Sequence, residues 1–397
     1  MMSASSKQQP DISTTVAGIP LQTCIYNASG PRSGTAAALA KVAESNGAGA
    51  VLAKSATLLS QVGNPQPRVF HAADGAASFN SEGLPNAGID YYLDATTIQE
   101  VMGDRTNKPY MVSLSGKSLQ DNLEMLRRVA AAPTRPQVSA IELNLACPNV
   151  IGKPIIAYDF EQMDAILVAV SKVKGLPPLG VKLPPYLDFQ HFASAAAVLN
   201  KHKATVRYVA SINTVGNALV IDAVADQPCI ASNNGFAGLS GPAVKYTAIA
   251  NVSKLRELLD NDIDVVGVGG IQSGKDVYEM LLAGATAVQI GTCHWTEGPA
   301  CFDRIETELR DLMRQKGYTS LKDCKGKLKK WSKEGAAISR AAAKEQKLQA
   351  SGKTDAASGG GTASDAQFYK MLSAILAILL AILCTDKFAG VKLLPSE

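Results

Sequence analysis

Eight short apolar stretches, each followed by a polar loop and then by apolar residues at helical spacing, constrain the fold more than any other feature. They lie at residues 19–26, 48–54, 110–114, 141–145, 179–183, 208–213, 264–268 and 287–290. Because each intervening helix returns the chain to a neighbouring parallel strand, this succession predicts a right-handed (β/α)8 TIM barrel. A doubly wound open sheet is the alternative, and the number and even spacing of the units favour closure.

The segments between the strands divide into helices and two long excursions. Helices are predicted at residues 33–44, 119–131, 160–174, 189–199, up to 258, 275–282 and 299–313. Residues 59–93 are rich in Gly, Pro and Asn and predict an excursion after strand 2. A second excursion runs from strand 6 to about Gly241. In such barrels the functional site lies at the carboxyl ends of the strands.

Composition excludes several classes of function. The chain has 397 residues, and its net charge of +4 is too small and too scattered to indicate a nucleic-acid partner. The 7 cysteines form no Cys-x-x-Cys pair, which argues against a disulfide framework and structural zinc and fits a reducing compartment. The 4 histidines lack His-x-x-x-His spacing, so no histidine-built metal site is expected. Residues 1–15 are polar and lack an apolar run, so no secretory signal is expected.

Changes in composition along the chain predict four regions. We expect a disordered N-terminal tail at residues 1–16, a barrel domain at 17–331, a helical and flexible linker at 332–367, and a hydrophobic segment at 368–397. Within the linker, residues 351–367 are rich in Gly, Ser, Ala and Thr and are predicted to be flexible.

The hydrophobic segment at residues 368–397 affects the predicted cellular location. The run from Met371 to Thr385 is uncharged and slightly shorter than the roughly 20 residues that span a bilayer. We expect it to associate with a membrane, which would tether an otherwise cytoplasmic protein. A helix packed in an oligomer interface is the alternative.

The stretch from Ile141 to Asn149 has the most informative chemistry. It begins as a strand of alternating apolar residues and is stopped by Pro148. Asn144 and Asn149 offer amide donors and acceptors suited to a planar ligand with imide-like edges. Cys147 between them provides a thiol that can act as nucleophile, acid or base. A strand end with turn-forming residues and an inert cysteine is the alternative. Polar residues also end other strands, namely Ser29, Lys54, Lys182, Asn213 and Thr292.

Two glycine-rich turns and two lysines indicate a phosphate-bearing ligand. Gly267 lies near the end of strand 7, Gly269 and Gly270 follow it, and Gly291 follows strand 8, where backbone amides of barrels approach phosphates. Lys54 and Lys182 end apolar strands, and a lysine at that depth needs a negative partner. A flavin, which accumulates negative charge on reduction, would supply it. The alternative is an ion pair with a barrel carboxylate, which the scarcity of acidic residues at the strand ends disfavours.

Several motifs together resemble dihydroorotate dehydrogenase over residues 19–331. They are Asn27-Ala28-Ser29-Gly30, Lys54-Ser55-Ala56-Thr57-Leu58, Gly63-Asn64-Pro65-Gln66-Pro67-Arg68, Gly83-Leu84-Pro85-Asn86, Asn144 to Asn149, Gly180-Val181-Lys182-Leu183-Pro184-Pro185-Tyr186 and the two glycine turns. Cysteine rather than serine at 147 resembles class 1. The Gly-Asn-Pro-x-Pro-Arg segment and Gly152-Lys153-Pro154 resemble class 1A, the homodimeric, fumarate-linked branch.

The resemblance implies that the barrel binds FMN across its strand ends. The implied cofactor-binding residues are Ala28, Ser29, Gly30, Lys54, Ser55, Asn144, Lys182, Ile212, Gly241, Gly269, Gly270, Gly291 and Thr292. Gly269, Gly270, Gly291 and Thr292 would hold the phosphate. Lys182 would face the pyrimidine edge of the ring and stabilise charge on it.

The same resemblance implies oxidation of dihydroorotate to orotate in pyrimidine biosynthesis, with fumarate reduced to succinate. The implied substrate-binding residues are Lys54, Asn80, Gly83, Leu84, Asn144, Asn149, Asn213 and Thr214. The implied catalytic residues are Cys147, Lys54 and Lys182. Cys147 would remove the C5 proton while C6 delivers hydride to the flavin.

Two departures from the family pattern keep alternatives open. Glu82 stands where the family usually has methionine. If its backbone amide binds the substrate, the change is mild, whereas a carboxylate directed into the pocket would repel an anionic substrate and weaken affinity. The extension beyond Trp331 is absent from the soluble class, which raises membrane quinone as an alternative electron acceptor. A non-catalytic FMN-binding scaffold is the third hypothesis.

Overall fold

The computed structural model describes residues 9–105, 107–146 and 155–356. Its strands, numbered in chain order, are β1 (Thr14–Val16), β2 (Ile19–Leu21), β3 (Ile25–Asn27), β4 (Val51–Leu52), β5 (Val69–His71), β6 (Ser78–Asn80), β7 (Tyr110–Leu114), β8 (Val138–Asn144), β9 (Leu179–Leu183), β10 (Val206–Ser211), β11 (Val215–Leu219), β12 (Ile221–Asp222), β13 (Gln227–Pro228), β14 (Phe236–Ser240), β15 (Asp264–Val268) and β16 (Ala287–Ile290). Its α-helices are α1 (Ala36–Glu44), α2 (Ile89–Leu93), α3 (Ala95–Met102), α4 (Leu119–Ala131), α5 (Phe160–Val170), α6 (Phe189–Lys201), α7 (Lys245–Leu258), α8 (Gly274–Leu282), α9 (Thr292–Glu297), α10 (Ala300–Gln315) and α11 (Lys333–Ala356).

Eight of these strands form one parallel sheet. Its order is β3, β16, β15, β10, β9, β8, β7 and β4, so chain neighbours are also neighbours in space. Each connection contains at least one helix. The (β/α)8 TIM barrel predicted from the sequence is therefore confirmed.

The ring closes between β3 and β4 through a side chain. The Leu52 N–H donates to Asn27 Oδ1 at 2.9 Å, and Asn27 Nδ2 donates to the Leu52 carbonyl at 2.6 Å. The Gly49 N–H donates to the Ile25 carbonyl at 2.7 Å. Asn27 is fully buried, so its amide takes the place of a strand ladder at this position.

Side chains alternate between the barrel interior and the surrounding helices, as the period of a strand requires. Tyr26, Leu52, Met111 and Tyr208 belong to the inner cluster, whereas their chain neighbours join the larger cluster that includes helix residues. Tyr208 fits the interior because Gly180 lies against its ring, where an added Cβ would be 2.3 Å from the ring carbons. The barrel is a packed core below a single open mouth.

Local sequence signals account for the helices. In α4, Ser118 Oγ accepts from the Asp121 N–H, which satisfies a free donor of the first turn. Met125, Leu126 and Val129 are buried at helical spacing, so one face of α4 packs on the sheet. Thr35, Asp94, Asp159, Asp188 and Ser273 cap other helices in the same way.

The two predicted excursions join in one antiparallel sheet, whose order is β11, β14, β6 and β5. Strands β5 and β6 come from the first excursion, and β11 and β14 come from the second. Leu239 pairs with Phe79, and Ser240 pairs with Ser78. This sheet brings Asn80 and Gly241 to the barrel mouth.

Several predicted boundaries were wrong, including the following three. Residues 19–26 form two strands, because β2 pairs with β1 as an antiparallel hairpin instead of joining the barrel. The predicted tail at 1–16 is structured from Asp11 onward, where Asp11 bridges Ser320 and Ile12 is fully buried. Helix α11 continues through residues 351–356, within the stretch that composition predicted to be flexible.

The first compact unit ends at Leu328, and a second begins at Lys329, close to the boundary predicted at 331. In the second unit the structure describes helix α11. Within residues 9–105, 107–146 and 155–356, no helix combines the length and apolar character needed to cross a bilayer. The run from Met371 to Thr385 lies outside these residues.

Candidate active site

A cleft at the carboxyl ends of the barrel strands gathers most of the predicted site residues. The space within and in front of it, open solvent included, is about 1060 Å³. We call it the mouth cleft, and its lining is Ala28, Ser29, Gly30, Pro31, Lys54, Ser55, Asn80, Glu82, Leu84, Asn144, Lys182, Ile212, Asn213, Thr214, Ser240, Gly241, Val244, Val268, Gly269, Gly270, Ile271, Gln272, Gln289, Gly291, Thr292 and Trp295.

Among the predicted site residues that the structure describes, Gly83 is not part of this lining. Cys147 and Asn149 lie outside the described residues. Gly83 lies behind the cleft against Asn64, where an added Cβ would be 2.3 Å from Asn64 Oδ1. Its φ of +68° explains the glycine, because side chains are strained in that region. Gly83 therefore supports the turn that presents Glu82 and Leu84.

Lys182 lies on the floor of the mouth cleft within a buried polar chain. Its Nζ donates to Gln289 Oε1 at 3.3 Å, and Gln289 Nε2 donates to Glu142 Oε2 at 2.5 Å. Gln289 Nε2 also lies 3.3 Å from the Tyr26 hydroxyl. Burial lowers the pKa of Lys182, and the Glu142 carboxylate opposes that shift. Because Glu142 accepts from the amide nitrogen of Gln289, the amide oxygen of Gln289 faces Lys182.

Gln289 and Glu142 were not predicted as site residues, although a signal for Gln289 was present. Along β16, Ala287 belongs to the inner cluster and Val288 and Ile290 to the outer one. Alternation therefore directs Gln289 into the barrel. A buried glutamine at an inner position needs polar partners, which points to the floor of a site.

A hydroxyl and amide network orients Asn144. Ser55 Oγ lies 3.1 Å from Ser29 Oγ and 2.8 Å from Ser113 Oγ. Asn144 Nδ2 donates to Ser55 Oγ at 3.3 Å, and Asn144 Oδ1 accepts from the Ala146 N–H at 3.1 Å. Because strands β3, β4, β7 and β8 all contribute, the network locks the amide before any ligand arrives.

Asn213 completes the amide pair from the opposite side. Its Nδ2 donates to the Ala146 carbonyl at 2.9 Å and lies 3.4 Å from Asn144 Oδ1. Its Oδ1 accepts from the Thr214 N–H at 2.9 Å. The residue immediately before Cys147 is therefore hydrogen-bonded to both asparagines.

The glycine turns form a cradle that side chains would fill. Gly270 has a φ of +74°, and an added Cβ would be 2.4 Å from Lys245 Cβ. Gly269 has a φ of +126°, with Ala248 Cβ 2.9 Å from its would-be Cβ. Nearby, Thr292 Oγ1 lies 3.2 Å from Ser240 Oγ. The arrangement leaves backbone amides and hydroxyls at a surface where a phosphate can approach closely.

Lys54 has a carboxylate partner, contrary to the interpretation that acidic residues are too sparse at the strand ends. Its Nζ lies 3.2 Å from Glu82 Oε2. Glu82 belongs to the first excursion, which explains why its contact with Lys54, just after β4, was not predicted. Glu82 lines the mouth cleft and its carboxylate contacts Lys54, so this carboxylate is directed into the cleft.

Comparisons with known proteins agree with this geometry. The family model for dihydroorotate dehydrogenase matches residues 11–313. A dihydroorotate dehydrogenase (fumarate) from Kluyveromyces lactis is 43% identical over 321 residues, covering 81% of this chain and 99% of the relative. A dihydroorotate dehydrogenase A (fumarate) from Lactococcus lactis subsp. cremoris is 44% identical over 319 residues, covering 80% and 99%.

Solved structures support the fold. The ligand-free dihydroorotate dehydrogenase of Eimeria tenella superposes with a TM-score of 0.67 at 22% identity, covering 83% of this chain and 95% of that one. The same enzyme in complex with ferulenol gives 0.66 and 22%, covering 81% and 89%. The family match covers most of the chain and the curated relatives match over nearly their full length, so this chain belongs to the dihydroorotate dehydrogenase family of oxidoreductases.

Proposed function

We propose that this protein oxidises dihydroorotate to orotate with FMN as cofactor and fumarate as electron acceptor. One observation carries the proposal: a buried lysine, a glycine cradle and a preorganised pair of asparagine amides meet in one cleft. Family membership and the fumarate-linked relatives support it.

The residues of the mouth cleft fit FMN. A lysine ammonium has three donors, and within the described residues Lys182 Nζ uses one, toward Gln289 Oε1. The Thr214 hydroxyl is buried and forms no hydrogen bond in the described part of the chain. We therefore expect the flavin's pyrimidine edge at Lys182 and its phosphate at Gly269, Gly270, Gly291 and Thr292. When bound, FMN supplies the hydride acceptor.

The chain's own residues bind and orient the substrate and move its proton. Asn144 and Asn213 offer the donors and acceptors that match the imide edge of dihydroorotate. Lys54 is the cation that would meet its carboxylate, and Leu84 would cover the ring. Cys147 is proposed from the sequence as the base that removes the C5 proton. Positioning by these groups lowers the entropic cost of reaction.

Anaerobic titration tests the function. Purified protein should carry a yellow flavin spectrum that bleaches on addition of dihydroorotate, and fumarate should restore the colour. A soluble quinone and NAD are tested in parallel. A protein that never bleaches is not a dihydroorotate dehydrogenase, and recovery with quinone alone would replace fumarate as the acceptor.

Substitution of Gly270 by alanine is expected to weaken FMN binding at least ~10-fold. The added Cβ collides with Lys245, so the turn must shift and a backbone amide loses its position toward the phosphate. A hydrogen bond to a charged group contributes about 1.5–3 kcal/mol. Each 1.4 kcal/mol corresponds to about ten-fold in affinity. The measurement is the FMN dissociation constant of the apoprotein by flavin fluorescence quenching.

Gly317→Ala is the matched control, because Gly317 has a similar φ of +70° with nothing within 4 Å of its would-be Cβ. It shares the backbone strain without contacting the cradle. Equal FMN affinities for the two variants would contradict a phosphate site at Gly270.

The remaining assignments rest on the sequence. We propose a homodimer, on the resemblance to class 1A, and a cytoplasmic protein tethered to membranes by the run from Met371 to Thr385. Deletion of residues 366–397 is expected to move the protein from the membrane pellet to the supernatant with dihydroorotate bleaching unchanged, because the barrel precedes the deletion. Full-length protein is the control in the fractionation. A truncated protein that still pellets would contradict the tether.

A further inference from the structure

Glu82 competes for the lysine that the substrate needs. Its Oε2 lies 3.2 Å from Lys54 Nζ, with 12% and 9% of the two side chains exposed. Under the proposed function, the substrate carboxylate binds the same ammonium. Two carboxylates cannot both occupy one side of Lys54 without repulsion, so binding must displace Glu82 or weaken the pair.

Arg68 offers the displaced carboxylate a second position. Its Nη1 donates to the carbonyls of Val62 at 2.8 Å and Asn64 at 3.1 Å, which anchors the guanidinium. Its Nε is buried and forms no hydrogen bond within the described residues. Glu82 Oε1 lies 3.7 Å from that Nε. A buried, unsatisfied donor on a cation is costly, and a shift of less than about 1 Å would bring the carboxylate into hydrogen-bond range.

The charges of Lys54, Arg68 and Glu82 are balanced only when an anionic ligand is present. Lys54 and Arg68 provide two positive charges and Glu82 one negative charge. The group therefore has one uncompensated positive charge, which one ligand carboxylate would neutralise. A neutral ligand brings no such charge and leaves the contact between Lys54 and Glu82 undisturbed.

We propose that Glu82 is a two-position specificity residue, an inference that rests on the proposed function. Without ligand its Oε2 contacts Lys54 Nζ at 3.2 Å, while its Oε1 lies 3.7 Å from Arg68 Nε. When a carboxylate-bearing pyrimidine binds Lys54, Glu82 moves to the Nε of Arg68. The cleft then selects for ligands that carry a carboxylate, because only an anionic ligand replaces the contact that Lys54 loses when Glu82 moves.

The two-position model is tested by orotate binding to the oxidised holoprotein. Binding is measured as a perturbation of the flavin spectrum, without turnover. Arg68→Gln is expected to weaken orotate binding about ten-fold, since the displaced carboxylate loses a charge-assisted hydrogen bond. In a Glu82→Gln background the same substitution should change affinity less than about two-fold, because no carboxylate needs the second position. Uracil, which has the ring without the carboxylate, should be insensitive to Arg68→Gln.

Arg128→Gln is the control for removing an arginine paired with carboxylates. Arg128 Nη1 lies 2.7 Å from Asp90 on the outside of the barrel, and orotate affinity should not change. Equal effects of Arg68→Gln in both backgrounds would overturn the two-position model, because a fixed Glu82 makes the substitutions additive.

A crystal structure of the wild-type orotate complex gives an answer that does not depend on variant folding. Glu82 hydrogen-bonded to Arg68 Nε and no longer in contact with Lys54 Nζ supports the proposal, and Glu82 still in contact with Lys54 Nζ overturns it. Wild-type holoprotein that neither binds orotate nor bleaches with dihydroorotate would refute the proposed function itself. Orotate binding with additive effects would refute only the role of Glu82.

Discussion

Replacement of Cys147 by alanine is expected to slow reduction of the bound flavin by dihydroorotate at least ~100-fold, because a positioned general base contributes roughly 10²–10⁴ in rate. The contacts of the described residues on either side support this role. Ala146 is hydrogen-bonded to Asn144 and Asn213 in the mouth cleft. Beyond residue 154, the Ala157 N–H donates to the Leu145 carbonyl at 3.1 Å. The described residues that precede and follow Cys147 in the chain are therefore hydrogen-bonded at or next to Asn144 and Asn213.

Stopped-flow absorbance under anaerobic conditions measures the step directly. Cys147→Ser should retain part of the rate and regain more of it at high pH, since a hydroxyl loses its proton less readily than a thiol. Cys229→Ala is the control, because this half-buried cysteine is not part of the mouth cleft lining. Wild-type reduction rates in Cys147→Ala would remove this thiol from the mechanism.

Lys182→Met is expected to slow flavin reduction by roughly 10²–10³-fold, the cost of removing one group that stabilises developing charge. The ammonium is buried beneath the proposed ring position, where a charge acts more strongly than in water. The charged form is the active one, and burial lowers its pKa. The reduction rate of the wild type should therefore fall as pH rises through a range below that of an ordinary lysine.

A structural role for Lys182 must be separated from this catalytic one. Loss of the ammonium leaves the buried Glu142 carboxylate without a nearby cation, so Lys182→Met should also lower the thermal unfolding temperature. Adding Glu142→Gln removes the uncompensated acid and should restore stability without restoring rate. Lys203→Met, at a surface pair with Asp260 2.7 Å apart, controls for loss of a lysine. Recovery of rate along with stability in the double variant would contradict direct action of Lys182.

The sequence predicted the barrel well because its information is local and periodic. The bounds of β7, β9, β15, β16 and α4 match the predicted ranges. The single strand predicted at 19–26 failed because apolar alternation does not specify the partner. A turn at Ala17 and Gly18, both with positive φ, folds β2 back on β1. Helix α9 was missed because a six-residue helix leaves a weak periodic signal.

The site was predictable where residues follow strands directly and not where excursions bring them together. Asn144, Lys182 and the glycine turns occupy strand ends, so fold class alone places them at the mouth. The contact between Lys54 and Glu82 joins two segments 28 positions apart, and no local pattern encodes it. Gln289 is an intermediate case, since its inward direction follows from alternation but its partner Glu142 does not.

The closure of the barrel through Asn27 has a consequence for cofactor loading. Two hydrogen bonds of the Asn27 side chain and one backbone hydrogen bond from Gly49 to Ile25 join β3 to β4 in place of a strand ladder, so thermal fluctuations should separate these strands before their neighbours. Ser29 and Gly30 follow one side of this joint, and Lys54 and Ser55 follow the other. A flavin that contacts residues on both sides would bridge β3 and β4 where the barrel is joined most weakly. Saturation at 100 times the dissociation constant would add about 2.7 kcal/mol of stability, and the holoprotein would gain resistance to unfolding at the position where the ring is least complete.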